Sequence, residues 1–214
     1  MTLSSKTKEL LERIKPASTK LGDIRALAKP IKKDHALALE LWSTGAYLPR
    51  QLAILIMDRK QLSQAVIDQL DQDMQHHDAE EQLQLMDWLM ANQLTKDKRT
   101  VALMGSWEHS PSALQRRIFW YFQGRLRWMG QPPPPNTEQL LSAIAARMES
   151  EVEAVQWAMN FTVAQIGIHE AAYRSRCIAL GERIGLYRHE VVHRGCTPQF
   201  LPAYIAVEVA KRQG

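Results

Sequence analysis

The chain has 214 residues, 45% of them hydrophobic and 23% charged, with a formal charge of +4. That length and apolar content suit one domain, or two small ones, with a real core, and six Trp and nine Met among regularly spaced Leu and Ala exclude a disordered chain. No apolar run approaches the roughly 20 residues that span a bilayer, the first residues lack a signal-peptide apolar core, and Cys177 and Cys196 cannot build a disulfide framework, so no membrane partner and a reducing, cytoplasmic setting are expected.

The periodicity is helical almost throughout. Leu37 and Leu41, with Ala38 and Trp42 beside them, recur at i, i+4 spacing. Leu52 and Ile56 repeat the pattern after Pro49, which fits a first helical turn. Leu62, Val66, Leu70 and Met74 form one stripe in 61–75. Leu83, Met86 and Met90 form another in 80–92, with Leu85 and Leu89 alongside. Val101, Leu103 and Met104 mark 100–107, and Ser110-Pro111 restarts a helix over 112–121. Thr137 is expected to cap the next, which holds Leu140, Leu141, Ile144 and Met148. Helices over 151–168, 171–184 and 202–212 complete the chain. Sustained period-two alternation is absent, so strands are not expected.

Gly45, Pro49, His76-His77-Asp78, Ser110-Pro111 and Gly195-Cys196-Thr197-Pro198 punctuate these segments. The one conspicuous linker is the Pro-rich loop 131–136, an extended spacer within one continuous helical stack spanning 1–214. The segments beginning at Arg50, Arg116 and Val155 share a similar polar lead-in, with Ala53, Phe119 and Ala158 as equivalents. A period of about 30–40 residues with two helices per unit is the signature of HEAT- or armadillo-like solenoids. The expected fold is therefore all-α, a HEAT-like or armadillo-like helical repeat superhelix. Such solenoids commonly bind a long partner on their concave face.

Charge order says more than the total. Residues 1–33 hold nine Lys/Arg against three acids, whereas 61–93 hold seven acids and no Lys or Arg. The second half turns basic again at Arg116, Arg117, Arg125 and Arg127, then at Arg174, Arg176, Arg183, Arg188 and Arg194. One reading is a basic face and an acidic face; the plain one is solvated helix surface.

Several residues could carry chemistry. Asp87 lies beside Met86 and Trp88 in a strongly amphipathic helix, as a groove carboxylate or an exposed helix acid. Trp157 sits where the repeat places a core residue. Arg116-Arg117 opens a helix, an unhelpful place for cations beside the macrodipole, which suggests a carboxylate or phosphate partner for at least one guanidinium. Trp107, Trp120 and Trp128 interleave with Arg125 and Arg127, a composition that suits nucleic acid or simple packing. His189, His193 and Cys196 have a spacing that could offer metal ligands, but no fourth ligand is evident and the segment reads as a turn; no metal and no cofactor are expected. There is no phosphate-cradling glycine loop, no H-E-x-x-H and no nucleophile elbow.

The stretch 21–29, then 34–45, then Arg50-Gln51-Leu52-Ala53-Ile54-Leu55-Ile56, resembles the opening of the AlkD-type DNA alkylation repair proteins. Leu114-Gln115-Arg116-Arg117 and the helix around Trp157 continue the resemblance over nearly the whole chain. It implies a HEAT-like superhelix whose basic concave groove contacts the backbone of double-stranded DNA, acting as a monomer. It further implies a glycosylase excising cationic N3- and N7-alkylpurines without a deep base pocket. By the same resemblance, Asp87 is the catalytic carboxylate and Arg117 holds the backbone near the lesion. Trp157 is one of two tryptophans cradling the lesion deoxyribose and phosphates. Arg116, Trp88 and Arg50 complete the expected DNA-binding set.

The chain departs from the family pattern in places: the acid the family often has just before the arginine equivalent to Arg50 is missing at Leu48-Pro49, and the N-terminal helical region is short. Leu83 stands where the family has its first groove tryptophan, four residues before the catalytic Asp. Two alternatives to the glycosylase therefore stay open: a non-catalytic DNA-binding paralogue and a protein-binding helical scaffold.

Overall fold

The computed structural model describes residues 3–15 and 18–213. Those residues form α-helices and single 3₁₀ turns, with no strand among them. They fall into two compact units, Met1–Ser106 and Trp107–Gly214. The first holds α1 (Ser5–Arg13), α2 (Leu21–Ile31), α3 (His35–Ser43), α4 (Tyr47–Ile56), α5 (Gln64–Met74), α6 (Ala79–Asn92) and α7 (Lys98–Gly105). The second holds α8 (Ala113–Trp128), α9 (Thr137–Arg147), α10 (Glu153–His169), α11 (Arg174–Ile184) and α12 (Leu201–Gln213). The boundary follows α7, and the Pro-rich loop lies inside the second unit, between α8 and α9.

Short polar residues start six of the twelve described α-helices for a local reason. A side-chain oxygen just ahead of the first turn accepts one of the N–H groups that the helix leaves without a partner. Asp34 accepts from Leu37 N at 3.1 Å, Asp78 from Glu81 N at 2.8 Å and Ser112 from Gln115 N at 3.3 Å. Helix α11 ends on Gly185, whose φ of 70° closes the last turn by donating its N–H to Gly181 O at 2.9 Å.

Packing within each unit follows a repeat. In the first unit, Tyr47 donates to Gln84 and Trp88 donates to Gln51 O, both across 37 residues, and Gln93 donates to Ile54 O across 39. Both partners advance together, so α4 and α6 run parallel. In the second unit, α10 and α12 do the same: Asn160 donates to Gln199 O just ahead of α12, Gly167 lies against Ile205, and His169 meets Arg212. Arg176 to Glu138, across 38, and Arg183 to Ala145 O, also across 38, set α11 parallel to α9. Alternate helices thus stack side by side at a spacing near the expected period, and the intervening helices return. The repeat equivalents Ala53, Phe119 and Ala158 are all buried, as the lead-in pattern implies.

The cores match the apolar stripes. Leu52, Ile56, Leu70, Met74, Met86 and Met90 are buried in the first unit, and Ile118, Trp120, Ile144 and Val163 in the second. Each fully buried side chain of this size contributes about 1.5–3 kcal/mol.

Four local expectations are revised. Helix α8 runs on to Trp128 rather than stopping at 121. Helices α1 and α2 occupy the N-terminal segments, where no periodic stripe was assigned. The buried stripe of α6 centres on Leu85, Met86, Leu89 and Met90, so Leu83 turns to its half-buried edge. Thr137 does not cap α9; that position is Asn136, without a side-chain cap bond. The Thr137 hydroxyl instead accepts from Arg127 Nη2 at 2.9 Å and donates to Glu170 Oε2 at 2.8 Å. A buried cation ten residues back, on α8, competes for that hydroxyl better than a helix N–H does.

Candidate nucleic-acid interface

Helices α8 and α10 build a cation–aromatic cluster inside the second unit. Arg117 and Tyr121 are one turn apart on α8, and Trp157 and Phe161 one turn apart on α10, so each pair shares a helix face. The Arg117 guanidinium lies 4.9 Å from the Trp157 ring centre and 5.4 Å from that of Tyr121. Trp157 and Phe161 stack within 8° of parallel at 5.7 Å, and Tyr121 leans on both, at 5.5 and 5.2 Å. Gly124 makes this approach possible. A Cβ there would lie 2.7 Å from the Phe161 ring and 3.0 Å from Thr162 Cα.

Arg117 is buried at 5% exposure, while Tyr121, Trp157 and Phe161 stay half-buried. Away from bulk water a guanidinium over an aromatic face gains about 2 kcal/mol, against under about 1 kcal/mol on an open surface. The cluster therefore fixes a cation beside rings that solvent still reaches. That combination can hold a phosphate and a sugar or base face together.

Below it, a buried network braces the same two helices. Arg127 Nε donates to Glu170 Oε1 at 2.5 Å and its Nη1 to Gln123 O at 3.0 Å. With the Thr137 bonds, every edge of this guanidinium faces an oxygen.

Two arginines proposed from sequence as DNA contacts have protein partners. The Arg116 guanidinium meets both Glu151 oxygens at 3.0–3.2 Å, and its Nη1 donates to Ser110 O at 2.8 Å. The partner wanted for a cation at a helix start is thus a carboxylate of the same unit. Arg50, buried on α4, donates to Asp73 O at 2.7 Å and Trp42 O at 3.3 Å and stacks on the Trp42 ring at 4.8 Å. Burial lowers its pKa, and the nearby Asp73 opposes that shift. Its geometry ties α3, α4 and α5 together.

In the first unit, α6 carries Asp87 and Trp88, both half-buried. Trp88 donates its indole N–H to Gln51 O at 3.1 Å, and the Arg25 guanidinium sits 4.7 Å from its ring centre. Leu83 lies one turn before Asp87 and is also half-buried, so that edge of the helix carries an aliphatic side chain.

Tyr121 and Phe161 are the cluster members that sequence reasoning missed. The available signal was i, i+4 spacing, Arg117 to Tyr121 and Trp157 to Phe161. His189, His193 and Cys196 are exposed, with Cys196 N donating to His193 O in a turn. Among the described residues no group of three or more His, Cys, Asp or Glu side chains is placed to hold a metal. None of the described helices is long and apolar enough to cross a membrane.

The comparisons with known proteins bear on family and fold. Residues 12–180 match the family model described as "DNA alkylation repair enzyme". A search of curated proteins returns no match. One solved structure is similar along 99% of this chain and 89% of its own, at 19% identity and a TM-score of 0.65. It is described as "a new family of proteins related to the HEAT-like repeat DNA glycosylases with affinity for branched DNA structures". The fold is accordingly all-α and HEAT-like. Because the family model spans most of its length, the chain belongs to the DNA alkylation repair enzyme family.

Proposed function

We propose that this protein binds double-stranded DNA through its sugar–phosphate backbone and excises cationic N3- and N7-alkylpurines. The observation that carries the reading is the Arg117 guanidinium packed 4.9 Å from Trp157, within a box completed by Tyr121 and Phe161. A fixed cation beside accessible rings suits a phosphate and its deoxyribose. Membership of the alkylation repair family and likeness to a relative of DNA glycosylases support the same partner.

The chemistry asks little of the protein. An alkylated purine already carries positive charge, so the breaking C1′–N bond gives its electron pair to a good leaving group. Positive charge then grows on the sugar, and a carboxylate stabilises it more in the transition state than in the ground state. Asp87 is assigned that role. Water adds to C1′ and loses a proton, leaving an abasic site and the free base.

Leu83 favours a second reading, a DNA-binding relative that does not excise. An aliphatic residue one turn from Asp87 offers no ring face to a cationic sugar. The solved neighbour described by its affinity for branched DNA fits that alternative too. The two readings separate in a single-turnover assay on a duplex bearing 7-methylguanine. Base release by the native protein, lost in Asp87→Asn with DNA affinity kept, is expected. Tight binding with no release overturns the glycosylase and leaves the binder.

A further inference from the structure

Trp128 is set apart from the other tryptophans. Trp42, Trp107 and Trp120 are buried, and Trp88 and Trp157 are half-buried, whereas Trp128 is 54% exposed in the last turn of α8. The Arg125 guanidinium lies 5.6 Å from its ring centre. The neighbouring arginines of this unit are neutralised: Arg116 pairs with Glu151, Arg127 with Glu170, Arg147 with Glu108 and Arg176 with Glu138. Arg125 has neither an ion pair nor a hydrogen bond among the described residues, so its charge remains available.

Position on the helix gives the pair a direction. At about 100° per residue, Arg117, Tyr121 and Trp128 fall within about 40° of one another around α8. Trp128 lies about 10 Å beyond Tyr121 along that face, with Arg125 at its border. The last turn of a helix favours a cation, which accounts for Arg125 but not for a large apolar ring left in water.

We propose that Arg125 and Trp128 form a second nucleotide-binding point, at which an unpaired base stacks on Trp128 and an adjoining phosphate meets Arg125. The proposal rests on the DNA-binding reading above and adds the kind of DNA this point recognises. Bases inside a duplex present no free face, because each is covered by its neighbours. Away from a duplex end, an exposed indole therefore stacks on a base from a single-stranded arm, gap or branch, and such stacking tolerates any sequence. The free guanidinium supplies the complementary charge for the strand's phosphate.

The test uses the full chain and two labelled DNAs, a blunt duplex and the same duplex carrying a single-stranded arm. Trp128→Ala is expected to lose about tenfold in affinity for the armed DNA and less than about twofold for the blunt one. Trp128→Phe, which keeps a ring, retains most of the armed-DNA affinity. Arg125→Ala weakens armed-DNA binding and flattens its salt dependence. Unchanged armed-DNA affinity in Trp128→Ala, or an equal loss on both DNAs, overturns this site while leaving DNA binding intact. A native protein that binds neither DNA overturns the DNA-binding reading and the site with it.

Discussion

Gly124 and Phe161 lie so close that a single added methyl group would meet the ring at 2.7 Å. The missing Cβ lets α10 set Phe161 against α8, and Phe161 in turn holds Trp157 nearly parallel at 5.7 Å. The cation–aromatic cluster thus depends on a glycine that touches none of its charge.

Gly124→Ala should therefore act at a distance. Phe161 or the backbone at Thr162 must move, at a cost of about 1–3 kcal/mol. The expected outcome is a melting temperature lower by several degrees and a changed near-ultraviolet circular dichroism, as the Trp157 environment shifts. Adding Phe161→Leu restores room and should recover part of the stability. A Gly124→Ala protein with native melting and native spectrum would contradict the close approach.

The Arg127–Glu170 pair makes a stability prediction. The Arg127 side chain is 1% exposed and Glu170 only 22%, so removing one partner strands a charge in a poorly hydrated place. Arg127→Ala should cost about 3 kcal/mol, read from urea unfolding. Replacing both, with Arg127→Met and Glu170→Leu, should cost less than the single change, since neither charge is then left alone. If the double variant is the less stable, the pair contributes more than its desolvation takes away.

The two thiols should differ sharply. Burial pushes Cys177 up to about 12 from an ordinary 9.0, while Cys196 is exposed. A disulfide reagent at pH 8 should titrate one thiol in the native protein and two after unfolding. The sign for stability follows from the raised folded value. The buried thiol's contribution is complete below its unfolded pKa and is lost as pH climbs from there towards 12. Two fast-reacting native thiols would place Cys177 at the surface.

The fold was legible where the apolar period is clear. Residues 80–92, 137–148 and 151–168 form helices near those limits because their apolar residues recur at helical spacing, whether or not a side chain caps the start. The repeat equivalents Ala53, Phe119 and Ala158 marked buried positions. What could not be read was the partner of each polar group. The resemblance makes Arg50 a DNA contact, and the helix start at Arg116-Arg117 calls only for some carboxylate or phosphate; Asp73 O and Glu151, 23 and 35 residues away, are the partners. Thr137 looked like a cap until a buried arginine took its hydroxyl. Tyr121 and Phe161 carry no local mark beyond i, i+4 spacing, and only the meeting of α8 and α10 puts them in one cluster with Arg117 and Trp157. Long-range pairing of this kind is set by the stack, not by local pattern.

The most direct measurement is the salt dependence of duplex binding by the native protein and by Arg117→Ala. Backbone contact releases condensed counterions, so affinity should fall steeply as salt rises. Loss of one phosphate contact should weaken binding across unrelated sequences alike and reduce the slope by about one. A native affinity indifferent to salt, or an Arg117→Ala slope equal to the native one, would contradict an arginine–tryptophan grip on the DNA backbone.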